Sequence, residues 1–260
     1  TSCAQTALWN IEGEFCRLNG IFHQHGDGHG AHAPGHRRDG AGEKSTSRLE
    51  HIKATENTLA TRSTMAFWLN PGEKSSGRLA LNTTALSNHR VEKQVTIGMP
   101  GLPHAIDYRV NFHVPSGEHH AMGQFEALTG YMPQEFSRFL SWNPVTGETA
   151  PLDDGPGEQR LPVIFTVPGE THAMGIFTKD EPNAPEGSPK VDTPTYGRFR
   201  FQAERVVKWN CVFRVRDARG IPAGHYSLRM FVVVGNLTTV RETLVSLSRK
   251  DLKKSRPSSN

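Results

Sequence analysis

In the segment AIDYRVNFHV, residues 105–114, polar and apolar side chains alternate from Asp107 to Val114, and this limits the fold more than any other feature. In an extended chain such alternation places apolar residues on one side and polar residues on the other, which is typical of an antiparallel sheet with one solvated face. The run VVKWNCVFRVRD, residues 206–217, alternates in the same way. We therefore expect a β-core that buries Tyr108, Val110, Phe112, Trp209, Cys211 and Phe213.

The rest of the chain favours many short strands joined by turns. Gly (25) and Pro (17) are frequent among the 260 residues, which argues against a helical bundle. One helix is predicted over residues 236–254, with apolar residues on one stripe and capping-box spacing between Thr239 and Glu242. The sequence thus predicts an all-β fold, a large antiparallel β-sandwich over residues 48–254 that includes this C-terminal amphipathic helix. Residues 1–47 form an N-terminal segment, and residues 255–260 are expected to fray.

An internal repeat suggests a catalytic site. VPSGEHHAMGQF, residues 114–125, resembles VPGETHAMGIF, residues 167–177, and a weaker copy begins at Ile221. Each copy has a Pro-Gly turn before a strand and is interpreted as a hairpin. Matched hairpins would place His120 and His172 on one concave surface with Glu126, as proton-transfer groups. The alternative is that the copies repeat packing residues and that these histidines are capped or face solvent.

Two groups of residues are candidates for substrate binding. The aromatic segment 131–144 contains Tyr131, Arg138 and Trp142, and aromatic faces with polar neighbours suit sugar rings. A hydrophobic flap over one sheet is an equally good interpretation. If their strands pair, Arg198 and Arg200 would lie beside Lys208, Arg214 and Arg216. Together they would form a basic stripe suited to carboxylated or sulfated glycans. An ordinary charged sheet face is the alternative.

A metal site is suggested by the Gly/His-rich loop at residues 20–46. Imidazole is a good ligand for Zn or Cu, and several ligands from the loop are able to converge on one ion. The candidates are His23, His25, Asp27, His29, His32 and His36. The alternative is a solvated loop with incidental metal affinity.

Composition and motifs narrow the function classes. A net charge of +4 spread over 260 residues is too dilute for a dedicated nucleic-acid binder. The sequence contains no run of about 18 apolar residues, so it predicts no membrane-spanning segment. Nucleophile-elbow, P-loop, zincin and C-x-x-C motifs are absent from the sequence. The chain begins with Thr1 rather than Met, and Asn82 and Asn236 stand in N-glycosylation triplets. We expect a secreted or periplasmic protein.

Strand density, the aromatic segment and the terminal helix together resemble the secreted, carbohydrate-associated β-sandwich proteins of bacteria. Over about residues 48–235 the chain is similar to the galactose-mutarotase-like supersandwich. The resemblance implies a carbohydrate partner, bound or converted by an epimerase, lyase or hydrolase type of reaction. It also implies a catalytic His and Glu on a concave sheet, for which His120, His172 and Glu126 are the candidates. Two other functions remain open: a structural or adhesive subunit that self-associates, and a metal-binding protein that uses the histidine loop.

Overall fold

The computed structural model describes residues 47–249 except residues 68, 76–77, 81 and 180. The Gly/His-rich loop and its six candidate metal ligands therefore lie outside the described residues, as do residues 250–260, which include the predicted last residues of the helix. The metal site predicted for that loop stays a prediction.

Fifteen strands and one helix make up the described part of the chain. The first eight strands are β1 (Arg48–Ala54), β2 (Thr58–Ala66), β3 (Lys74–Ser75), β4 (Arg78–Leu79), β5 (Leu86–Met99), β6 (Leu102–Val114), β7 (Met122–Pro133) and β8 (Arg138–Trp142). They are followed by β9 (Thr149–Pro151), β10 (Gly157–Gln159), β11 (Val163–Thr166), β12 (Ala173–Phe177), β13 (Thr195–Phe201), β14 (Val206–Arg216), β15 (Gly224–Gly235) and the helix α1 (Leu237–Arg249).

The strands form two main antiparallel sheets, which confirms the predicted β-sandwich. The large sheet has nine strands in the order β1-β2-β5-β6-β15-β12-β11-β8-β9, and the small sheet has four in the order β10-β13-β14-β7. Strands β3 and β4 pair separately.

The main core lies between the two sheets and is built by the alternation in β6 and β14. All six residues predicted to be buried are at most 2% exposed, which confirms that expectation. Phe112 of the large sheet meets Phe125 of the small sheet with ring centroids 5.1 Å apart, and Phe125 stacks on Tyr226 at 5.0 Å. The two sheets are therefore joined by aromatic contacts at the centre of the sandwich.

The helix α1 covers part of the other face of the large sheet. Val240, Leu244 and Leu247 are fully buried in a second apolar cluster with Trp142 and Phe231. The Asn236 side chain caps the helix, because its Oδ1 accepts a hydrogen bond from the Thr239 amide at 2.8 Å. The predicted Thr239–Glu242 capping box is wrong, because the helix begins three residues earlier than that box requires.

The repeated sequence occupies two different structural contexts. The second copy is a hairpin, since β11 and β12 pair directly. The first copy connects β6 of the large sheet to β7 of the small sheet, and the weak third copy connects β14 of the small sheet to β15 of the large one. Pro and Gly set a local chain reversal, whereas pairing over long sequence separations decides which sheet the next strand joins. The hairpin prediction is thus wrong for the first and third copies.

Asn82 is unsuited to glycosylation in the folded protein. It is 7% exposed, and its amide donates to the carbonyl oxygens of Leu69 at 2.9 Å and Thr84 at 2.8 Å.

Among the described residues, no helix is long and apolar enough to cross a membrane.

Candidate functional site

The two histidines of the predicted catalytic site lie at opposite ends of the sandwich. The carbonyl of His120 accepts from the Ile221 amide at 2.8 Å, close to Gly224, where β15 begins. His172 precedes Ala173, which pairs with Gly235 at the other end of β15. Twelve residues of strand separate these ends, about 36 Å at roughly 3.3 Å per residue. The prediction that both histidines face one concave surface is wrong, because the first copy crosses between the sheets.

Glu126 lies near neither histidine but on the face of the small sheet that points away from the core. Its Oε1 accepts from the Thr129 hydroxyl at 2.8 Å and the Asn210 amide at 2.9 Å, and lies 3.0 Å from the Lys208 Nζ. The side chains of Glu126 and Lys208 are both 7% exposed. We call these four residues the Lys208 network. Individual roles for His120, His172 and Glu126 remain predictions, but no joint site exists.

Aromatic rings flank the Lys208 network. The Nζ of Lys208 lies 5.2 Å from the Phe199 centroid and 5.6 Å from that of Tyr131, which are cation–π distances. The ring of Phe201 is stacked with those of Phe199 and Tyr131 at 6.2 and 6.4 Å. Tyr131, one of the predicted substrate-binding residues, is therefore part of a half-exposed aromatic row.

The predicted basic stripe does not form. Register places Phe199 opposite Lys208, while Arg198 lies opposite Trp209 on the core side of the small sheet. Arg198 pairs with Asp153 at 2.6 Å, and Arg200 pairs with Asp154 at 2.7 Å. Because consecutive side chains in a strand point to opposite faces, these two arginines point away from the face that includes Lys208.

The other two predicted substrate-binding residues lie on β8 of the large sheet. Arg138 is exposed and forms an ion pair with Glu170 at 2.7 Å. Trp142 is fully buried beneath α1, with its ring edge-on to Phe177 at 5.3 Å. A sugar ring has no access to Trp142, so its predicted stacking role is wrong.

A row of polar side chains crosses five strands of the large sheet on the face opposite the main core. The strand registers align Arg48 with Thr64, Thr64 with Arg90, Arg90 with His113 and His113 with His225. The rings of His113 and His225 are 5.0 Å apart. A cavity of about 860 Å³ opens over this row, and we call it the row cavity. Its polar lining includes Arg48, Glu50, Thr64, Asn88, Arg90 and His113.

The charges in the row cavity follow from its hydrogen bonds and its burial. The pKa of Glu50 is lowered mainly by the hydrogen bond from the Thr64 hydroxyl at 2.6 Å, with further contributions from Arg48 and Arg90. The pKa of His113 is lowered by burial first, then by the charges of His225 and Arg90. At neutral pH the cavity therefore combines an ionised carboxylate, a neutral imidazole and two guanidinium groups.

Sequence reasoning missed this cavity because it is an assembly of five strands. The alternation of residues 105–114 does place His113 on the solvated face. Bringing Arg48 and Arg90 beside it requires the pairing registers, including a β-bulge between Leu49 and His51. Local patterns do not determine such registers.

No protein-family model and no curated protein matches the chain. Among solved structures, the chain is similar to an α-galactosidase from Lactobacillus brevis with a TM-score of 0.39 and 9% identity, covering 73% of this chain and 26% of that one. A heparinase III gives a TM-score of 0.34 and 12% identity, covering 75% and 22%. An α-galactosidase from Geobacillus stearothermophilus gives 0.32 and 9%, covering 76% and 28%. The chain thus spans about a quarter of the length of these proteins.

Proposed function

We propose that this protein is an exported carbohydrate-binding protein and that the row cavity binds a sugar with an acidic substituent. The observation that supports this is the convergence of two guanidinium groups, an ionised carboxylate and a neutral imidazole in one cavity of about 860 Å³. Guanidinium groups bind carboxylate or sulfate through paired hydrogen bonds, and a carboxylate accepts from sugar hydroxyls.

The first test removes one guanidinium. We expect Arg90→Ala to weaken binding of heparin-derived oligosaccharides by about tenfold or more, because a hydrogen bond to a charged group contributes about 1.5–3 kcal/mol. Calorimetry at fixed ionic strength is the measurement. Arg241→Ala changes an exposed arginine on α1 and is the matched control, expected to bind normally.

Two outcomes would contradict the assignment. Unchanged binding by Arg90→Ala and Arg48→Ala variants would exclude the row cavity. A loss confined to Tyr131→Ala and Phe201→Ala would move the sugar site to the aromatic row on the small sheet.

A pH dependence follows from His113. The pKa of His113 is lowered in the folded protein, so folding favours the neutral ring. The stability that this provides is fully present above pH about 6.5, and it is lost as the pH falls through the folded pKa. A bound anion favours the protonated ring, so binding takes up a proton. The affinity for an anionic sugar should therefore rise as the pH falls below about 6.5, by up to about fivefold once the pH is below the folded pKa of His113, since one such charge pair contributes about 1 kcal/mol.

Two histidine variants separate this effect from general titration. His113→Gln should remove most of the pH dependence, whereas His104→Gln, an exposed histidine on the same strand, should retain it. An equally steep dependence in both variants would show that His113 is not the group responsible.

Self-association remains a second candidate property, and one observation favours it. Strand β1 is the edge of the large sheet, and within the described residues no strand pairs with its outer side. Leu49 and Ile52 on this strand are 55% and 56% exposed. An exposed edge strand with apolar side chains is a template for pairing with another chain.

A further inference from the structure

Two histidines and a glutamate converge at the end of the sandwich where β5 begins. His89 lies on β5, and Glu118 and His120 lie on the connection between β6 and β7. The Oε2 of Glu118 is 2.7 Å from the Nε2 of His120 and 3.3 Å from the Nε2 of His89. The two rings are 5.8 Å apart, and one ligand atom from each residue lies within 4.8 Å of the others.

Burial and backbone contacts hold this cluster in place. Both histidine side chains are 2% exposed, and the Glu118 side chain is 30% exposed. The His89 amide donates to the Ser87 hydroxyl at 3.1 Å, and the His120 carbonyl accepts from the Ile221 amide. Gly117, with φ of 87°, allows the turn that directs Glu118 back toward both rings.

We propose that His89, Glu118 and His120 form a binding site for a divalent transition metal with the ligand preferences of Zn²⁺. Zinc bonds to His nitrogen and carboxylate oxygen are about 2.0–2.2 Å, which in a tetrahedron places ligand atoms about 3.3 Å apart. The observed 3.3 Å between Glu118 and His89 matches that edge, and the 2.7 Å to His120 requires a shift of about half an ångström. Two imidazoles and one carboxylate suit zinc, whereas Mg²⁺ and Ca²⁺ require more oxygen ligands.

The site has a structural consequence for the row cavity. His89 is on the large sheet, while His120 lies just before β7 of the small sheet, so a bound ion links the two sheets at this end. The same connection contributes Pro115 and Ser116 to the lining of the row cavity. A metal ion would thus fix one wall of that cavity. The site does not depend on what the cavity binds.

The test must separate this cluster from the histidine-rich loop. We would use the full chain with His23, His25, His29, His32 and His36 all replaced by glutamine, and titrate it with Zn²⁺ in a calorimeter. One equivalent should still bind, and at a hundredfold excess over Kd the midpoint of thermal unfolding should rise by about 5–10 °C. Mg²⁺ should give neither effect.

Substitutions then locate the ion. His89→Gln, Glu118→Gln and His120→Gln, each made in that background, should each lower Zn²⁺ affinity by at least about tenfold. His119→Gln, an exposed neighbour in the same connection, should bind as before. Circular dichroism checks that each variant folds.

A second measurement does not rely on variants. Anomalous diffraction at the zinc edge from crystals of the unaltered protein should show an ion about 2.0–2.2 Å from both Nε2 atoms and the carboxylate. Zinc found only at other residues, or full loss of binding when the loop histidines alone are replaced, would overturn the proposal.

Discussion

Replacing Glu126 by glutamine is expected to lower the free energy of unfolding by about 3–5 kcal/mol, because the buried ammonium of Lys208 then loses its counter-charge. Glutamine keeps the shape of the side chain, so Thr129 and Asn210 still find an oxygen acceptor. The loss therefore reports mainly the uncompensated charge. Chemical denaturation monitored by circular dichroism measures it.

Two further variants make this result specific. Glu92→Gln breaks an exposed ion pair, in which the side chains of Glu92 and Arg62 are 39% and 52% exposed. This variant should lower the free energy of unfolding by less than about 1 kcal/mol. The double variant Glu126→Gln/Lys208→Met removes both buried charges and should recover most of the lost stability. A double variant no more stable than Glu126→Gln would show that the loss arises from packing instead.

Sequence alone predicted the layers of this fold better than their connections. Alternation places Phe112 and Trp209 in the core whatever their strands pair with, because the side-chain period of a strand is fixed. The helix stripe is local for the same reason, so Val240, Leu244 and Leu247 are buried as predicted, whereas the capping residue is Asn236 rather than Thr239. The hairpins predicted from the repeated Pro-Gly turns were wrong in two of three copies, because a turn does not specify whether the next strand joins the same sheet or the opposite one.

The candidate sites depend on strand pairing and register, which local sequence patterns do not determine. Arg198 was expected beside Lys208, but a register shifted by one residue exchanges the faces and puts Phe199 there. Similarly, Arg48, Arg90 and His113 are distant in sequence and meet only because β1, β2, β5 and β6 pair in one register. His89 and His120 likewise approach across a gap between sheets that no spacing rule describes.

Phe112→Ala is expected to lower the free energy of unfolding by about 3–5 kcal/mol, through lost apolar burial and the cavity that remains. Phe112 is 2% exposed, and its ring joins the two sheets through Phe125. Because Phe125 in turn stacks on Tyr226, the neighbouring rings have little freedom to fill the space.

Phe201→Ala is the matched control for this substitution, since it makes the same chemical change at a ring that is 36% exposed. It should cost about 1 kcal/mol or less, because less surface is withdrawn from water there. Urea denaturation of both variants measures the difference, with the slope of the transition as a check on two-state behaviour. Equal losses at the two positions would mean that the sheets are not held together by the Phe112–Phe125 contact. In that case the core register on which the row cavity and the Lys208 network both depend would need to be reassigned.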